Sequence, residues 1–193
     1  MDPSERLESK LPELYKDASC EHGLDHILRV VRNARIIGEK EGTDMQVLLP
    51  AAMLHDIALK RGSLAEANSR HALLGGQIAE NILKLCGFSK GETGKICSAI
   101  RQHSVDSPTS ERRTKEGDCL FDADKLDAIT ACGAARYLQE QALEKNRNPV
   151  EAAERFLKWL NEMEFRTRAG KNLGKDRSKA IEFCKDIARS GEI

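Results

Sequence analysis

Apolar positions recur every three or four residues along nearly the whole chain and almost nowhere alternate, so the pattern predicts helices and not strands. Asp2-Pro3 reads as the N-cap and first position of a helix over about residues 3–18, closed before Ser19-Cys20-Glu21-His22-Gly23. Leu24, Ile27, Leu28, Val31, Ala34 and Ile37 lie on one stripe of a second helix that ends near Gly42. A third, after Thr43-Asp44 and running to about Leu59, leaves almost no polar face and so belongs in the middle of the domain. Pro50 within it predicts a kink or a fresh start. Further helices are expected at about 63–86, where Gly75-Gly76 allows close packing, and at about 90–103, 119–145, 150–164 and 175–190. Ser104–Gly117 and the basic stretch Arg166–Arg177 read as exposed loops. The expected fold class is all-α.

Composition narrows this without changing it. A chain of 193 residues is one domain's worth and buries a real core without disulfides or a structural metal. With 14 glycines and 5 prolines it is no linker-rich chain, and no apolar run approaches a membrane span, so no membrane partner is expected. The 31 basic and 31 acidic residues cancel and only eight aromatics are present, which argues against a sequence-independent nucleic-acid binder. Met1-Asp2-Pro3-Ser4-Glu5-Arg6 lacks the apolar stretch of a secretory signal, and a cytoplasmic protein is expected. Cys20, Cys86, Cys97, Cys119, Cys132 and Cys184 include no CxxC pair and read as free thiols.

The candidate chemistry lies in the histidines and aspartates. His26, His55, His71 and His103 fall on four different expected helices. His55-Asp56 ends the most apolar of these, flanked by Leu54 and Ile57, where a carboxylate is costly unless paired or bound to a cation. Adjacent helical residues project about 100° apart, so this imidazole and carboxylate can grip one ion between them. A favourable His against the helix dipole with a solvated Asp is the alternative. A second carboxylate cluster is Asp122-Ala123-Asp124-Lys125-Leu126-Asp127. Here Asp124 and Asp127 share a helix face while Asp122 suits an N-cap; capping plus surface charge is the plain account of all three, and the other is that three carboxylates amid apolar residues are costly without a cation to neutralise them.

In order, His26, His55-Asp56 and Asp124 give the pattern H…HD…D, and the sequence here resembles the HD-domain metal-dependent phosphohydrolases. His22-Gly-Leu-Asp-His26-Ile-Leu-Arg29-Val is similar to the family's opening motif, Ala51-Ala-Met-Leu-His55-Asp56-Ile to its signature and Asp122-Ala-Asp124-Lys125-Leu-Asp-Ala to its closing motif. The resemblance implies a single-domain HD-type helical bundle over 1–193, with residues 1–21 an N-terminal helix, 22–130 the metal-site core and 131–193 C-terminal helices packing on it. It also implies that His26, His55, Asp56 and Asp124 ligate one divalent ion. Two imidazoles and two carboxylates suit Mn, Fe, Co, Ni, Zn or Mg without choosing among them.

His71 and His103 match positions that hold a second metal in some members. Here His103-Ser104 replaces an adjacent histidine pair, which favours one metal, with His71, His103 and Lys125 as catalytic groups at the phosphate. His22, Lys60 and Arg61 are the candidate substrate-binding residues. His55-Asp56-Ile57-Ala58-Leu59-Lys60 lacks the Ile-Gly-Lys of the cyclic-dinucleotide branch, and no Gly-Tyr-Pro occurs. The expected function is metal-dependent hydrolysis of a phosphate ester of a small molecule or nucleotide, with no nucleic-acid partner. A di-iron oxygenase on the same scaffold and a non-catalytic metal-binding regulatory module are the rivals.

Overall fold

The computed structural model describes residues 1–19, 21–59, 70–104 and 112–190. Among these the fold is all-α, with helices α1 (Pro3–Glu8), α2 (Leu11–Leu14), α3 (Leu24–Glu41), α4 (Met45–Leu54), α5 (His71–Cys86), α6 (Lys90–Gln102), α7 (Lys115–Ala128), α8 (Ala131–Lys145), α9 (Pro149–Glu162), α10 (Arg168–Leu173) and α11 (Ser178–Arg189). None of them is long and apolar enough to cross a membrane.

Local chemistry explains most boundaries. Asp2 and Glu5 form a capping box at α1, as Ser89 and Glu92 do at α6. Asp44, Thr114, Thr130, Asn148 and Thr167 accept backbone N–H bonds at the starts of α4, α7, α8, α9 and α10. Gly42 and Gly87, both left-handed, end α3 and α5.

Three expectations are corrected. The helix expected over 3–18 breaks at Ser9-Lys10 and ends at Leu14, because Pro12 has no N–H to donate and its ring clashes with the preceding turn. The helix expected over 119–145 begins at Lys115 and is interrupted at Ile129-Thr130, where Thr130 caps a new helix by accepting from the N–H of Gly133. The stretch 166–177 is no free loop, since α10 lies within it and its start is tied down on α7. Pro50 sits inside α4, which runs on through it.

Helix α4 is apolar all round and lies centrally, against α3, α6, α7 and α1. Its Leu48, Ala51, Ala52 and Leu54 join Ile27, Val30, Leu83, Ile100 and Leu120 in the larger core cluster. A second cluster, with Ala152, Phe156, Leu160, Ala180 and Cys184, joins α8, α9 and α11. The site lies where the C-terminal end of α4 meets α3, α5, α6 and α7.

Candidate metal centre

His55 is the C-cap of α4 and His103 that of α6, while His71 opens α5 and His26 sits in the first turn of α3. Four helix ends thus deliver imidazoles to one place. Close packing makes this feasible, because a Cβ on Gly75 of α5 would stand 3.2 Å from the backbone oxygen of His55. Tyr15, buried beneath, donates its hydroxyl to the carbonyl of Met53 at 2.9 Å and secures the turn that carries His55 and Asp56.

Each of three imidazoles is fixed in one tautomer. The Nδ1–H of His55 donates to the carbonyl of Ala52 at 2.9 Å and that of His103 to the carbonyl of Ile100 at 2.6 Å. Nδ1 of His26 donates to Oδ2 of Asp127 at 2.7 Å. Every Nε2 lone pair therefore points into the centre, which is how metal-ligating histidines are set up.

The inward atoms crowd together. Nε2 of His26 lies 3.3 Å from Nε2 of His55, 3.5 Å from Oδ2 of Asp56 and 3.5 Å from Oδ1 of Asp124. Nε2 of His55 is 3.3 Å from Oδ2 of Asp56 and 4.0 Å from Oδ1 of Asp124. Ligand atoms about 2.1 Å from one ion stand about 3.0 Å apart across an octahedral edge and about 3.4 Å across a tetrahedral one. The donor set is thus spaced as the ligands of a metal ion would be, with Nε2 of His26 and Nε2 of His55 facing each other at 3.3 Å. Triads that can hold a metal include His26-His55-Asp124, His22-His26-Asp56 and His55-Asp56-His103, so the residues present fit a divalent ion.

Charge supports the same conclusion. Burial pushes the Asp56 carboxyl up, but His55 and His22 outweigh it and hold the group well below the usual carboxylate range. Burial lowers His55, His26 and His22, yet the neighbouring aspartates leave all three above the ordinary imidazole value. His103 is the exception: burial, with His55 and His71 nearby, pushes it down to about 4. Burial likewise raises Asp124, and Lys125, His55 and His26 overcome it. The centre is a negative pocket that gathers positive charge.

The other candidates sort as follows. His71 approaches His103, Nε2 to Nε2, at 3.1 Å. Lys125 bonds Oδ2 of Asp124 at 2.7 Å, and its ammonium lies over the ring of Phe121. His22 donates from Nδ1 to Oδ2 of Asp56 at 2.6 Å, so it braces the carboxylate as well as lining the cleft. Lys60 and Arg61 lie outside the described residues, as does Cys20.

Asp122 and Asp127 have other work. Asp122 is no N-cap: fully buried, it accepts from the N–H groups of Arg166 and Thr167 and from the Thr167 hydroxyl at 2.6–2.8 Å. Asp127 is no surface charge. It accepts from His26 and from Arg29 Nε, each at 2.7 Å, and pairs with Arg136 of α8. Sequence reasoning also missed Glu21, Arg136, Tyr137, Phe156 and Trp159, which line the cleft over the centre. The available signal was the Phe156/Trp159 spacing of three, which places both rings on one face of α9.

Comparison with known proteins agrees. The HD domain family matches residues 23–129, the segment that carries His26, His55, Asp56, His71, His103 and Asp124, with His22 one residue before its start. YpgQ of Bacillus subtilis is 28% identical over 142 residues, covering 69% of this chain and 63% of that protein. Ribonuclease Y of Rubrobacter xylanophilus is 30% identical over 134 residues, 69% of this chain but 23% of that protein. The chain thus spans less than two thirds of either curated relative. Among solved structures, one from an uncultured Thermotogales bacterium, named a predicted HD superfamily hydrolase, has a TM-score of 0.62 at 29% identity, covering 97% of this chain and 92% of that one. YpgQ in complex with ADP has a TM-score of 0.65 at 24% identity over 96% of both chains, a likeness of fold. The chain belongs to the HD domain family.

Proposed function

We propose that this protein hydrolyses a phosphate ester of a small molecule or nucleotide, with a single divalent ion held by Nε2 of His26, Nε2 of His55, Asp56 and Asp124. The observation that carries this reading is the convergence of those four groups with each imidazole locked at Nδ1. When bound, a divalent ion supplies an activated water and a seat for a phosphoryl oxygen.

The chain's own residues do the rest. Asp127 and the carbonyl of Ala52 keep the two imidazoles aimed inward, and His22 and Lys125 hold the two carboxylates in place. The ammonium of Lys125, at the cleft, meets negative charge developing on the phosphoryl group. His103 already donates from Nδ1, so the proton in its short contact with His71 sits on Nε2 of His71. His71 lines the cleft, where in its cationic form it would give a proton to the leaving oxygen and return to the neutral imidazole that donates to His103.

The complex of YpgQ with ADP supports the nucleotide class. Zero net charge supports a small substrate over a polymer. Purified protein loaded in turn with Mn²⁺, Co²⁺, Ni²⁺, Zn²⁺, Fe²⁺ or Mg²⁺ is assayed against phosphorylated metabolites, mononucleotides and a short RNA. Turnover of a small ester that His55→Ala and Asp56→Ala abolish supports the reading. Two irons per chain with oxygen consumption, or cleavage of the RNA alone, overturns it.

A further inference from the structure

The cleft over the centre, about 280 Å³, has two unlike walls. One is the histidine-aspartate cluster, and the other comes from α8 and α9, beyond the family-matched segment 23–129. That second wall presents Tyr137, Phe156 and Trp159. Three of the chain's eight aromatics therefore stand beside one cleft.

Their arrangement is a stack. Ring centroids of Tyr137 and Phe156 are 4.9 Å apart with planes inclined at 36°, and those of Phe156 and Trp159 are 5.3 Å apart at 33°. Phe156 is buried in the second core cluster, whereas Tyr137 and Trp159 are only partly covered, so the flanking rings keep apolar surface at the cleft. The wall is brought close by the α7–α8 junction, where a Cβ on Gly133 would sit 2.3 Å from the backbone oxygen of Ala128. A side chain there would push α8, and Tyr137 with it, away from the centre.

A cleft with a cation-seeking floor and a stacked aromatic wall matches a ligand that is anionic at one end and planar at the other. We infer that Tyr137 and Trp159, backed by the buried Phe156 between them, form a stacking wall for a planar ring of the substrate, so that the ester cleaved is an aryl or nucleoside phosphate and not an aliphatic or sugar phosphate. The inference rests on the phosphohydrolase reading and deepens it by naming the residues that select the leaving group. The volume, just below the ~300–1,000 Å³ of ordinary ligand clefts, is on the scale of one small molecule.

Trp159 is the chain's single tryptophan, so its emission reports on the wall directly. The Mn²⁺-loaded wild-type protein is titrated with adenosine monophosphate, ribose phosphate and inorganic phosphate. Only the first is expected to change the Trp159 emission saturably. In kinetics, Tyr137→Ala and Trp159→Ala should raise KM for a nucleoside phosphate between about 5- and 150-fold, the range for loss of one stacking contact, with kcat little changed. Trp159→Phe, which keeps a ring, should restore most of the loss and serves as the folding control.

Equal kcat/KM for ribose phosphate and nucleoside phosphate, with no response of Trp159 to the nucleotide, overturns the stacking wall while leaving the hydrolase reading intact. A saturable Trp159 response in a protein that cleaves no phosphate ester upholds the wall and removes the hydrolase reading instead.

Discussion

Nδ1 of His26 and Oδ2 of Asp127 meet at 2.7 Å across 101 residues of chain, joining the first turn of α3 to the last turn of α7. The carboxylate behind the imidazole fixes which nitrogen faces the centre and makes that nitrogen a better donor. Asp127→Asn keeps the shape and removes the charge. Calorimetric titration with Mn²⁺ should show affinity falling about 10- to 100-fold, the usual cost of losing such a partner, with the helical circular dichroism signal unchanged. Unaltered affinity would mean that the pair serves only the packing of α3 on α7.

Metal binding should also appear as stability, because an ion that binds only the folded chain stabilises it by mass action. At 100 times its Kd the gain is about 2.7 kcal/mol. For a chain of this size that corresponds to a rise in Tm of about 5–11 °C. Scanning calorimetry with Mn²⁺ and after chelation should show the difference in the wild type and its absence in His55→Ala. A chelator-insensitive Tm in both would count against the centre.

The glycines offer a paired test. A Cβ on Gly170 would lie 2.1 Å from Oδ2 of Asp122, while one on Gly94, inside α6, would meet nothing within 4 Å. Gly170→Ala should therefore cost about 1–3 kcal/mol through overpacking. Gly94→Ala should gain about 0.5–1 kcal/mol from helix propensity. Denaturant unfolding of the two variants checks both signs.

Thiol reactivity should single out one described cysteine. Cys132 is exposed, whereas Cys86, Cys97, Cys119 and Cys184 are buried. Burial pushes Cys119 up to about 12 and Cys184 to about 11, so neither offers a thiolate near neutrality. Mass mapping after a short pulse of iodoacetamide on the native protein should find Cys132 modified and these four untouched until denaturant is added.

The legible part of the site was the part that contradicts its surroundings. Asp56 between Leu54 and Ile57 is a carboxylate where the pattern wants an apolar residue, and His26, His55 and Asp124 follow once the motif is read. Asp127 was not legible, because two aspartates three apart on a helix look alike whether they meet water or arginine. What distinguishes Asp127 is the arrival of Arg29 from α3 and Arg136 from α8, and no local pattern encodes that. The break after α1 was legible in Pro12 but hidden by the stripe Leu7, Leu11 and Tyr15, which continues helical spacing across it. The tethering of the stretch at 166–170 depends on Asp122, 44 or 45 residues away, and only the folded chain displays it.

That tether sets the size of the working unit. Asp122 lies two positions before Asp124 and has no exposed surface, and the three donors that satisfy it all come from Arg166 and Thr167. A fragment cut at residue 129, where the family match ends, would carry every proposed ligand and yet take from this carboxylate both its three donors and the start of α10 that packs on it. A buried acid that loses its hydrogen bonds must take up a proton, draw in water or drag its helix outward. Any of these strains the turn of α7 that presents Asp124. The smallest piece of this chain able to keep its centre in register thus reaches past the recognisable motif region, at least through the start of α10.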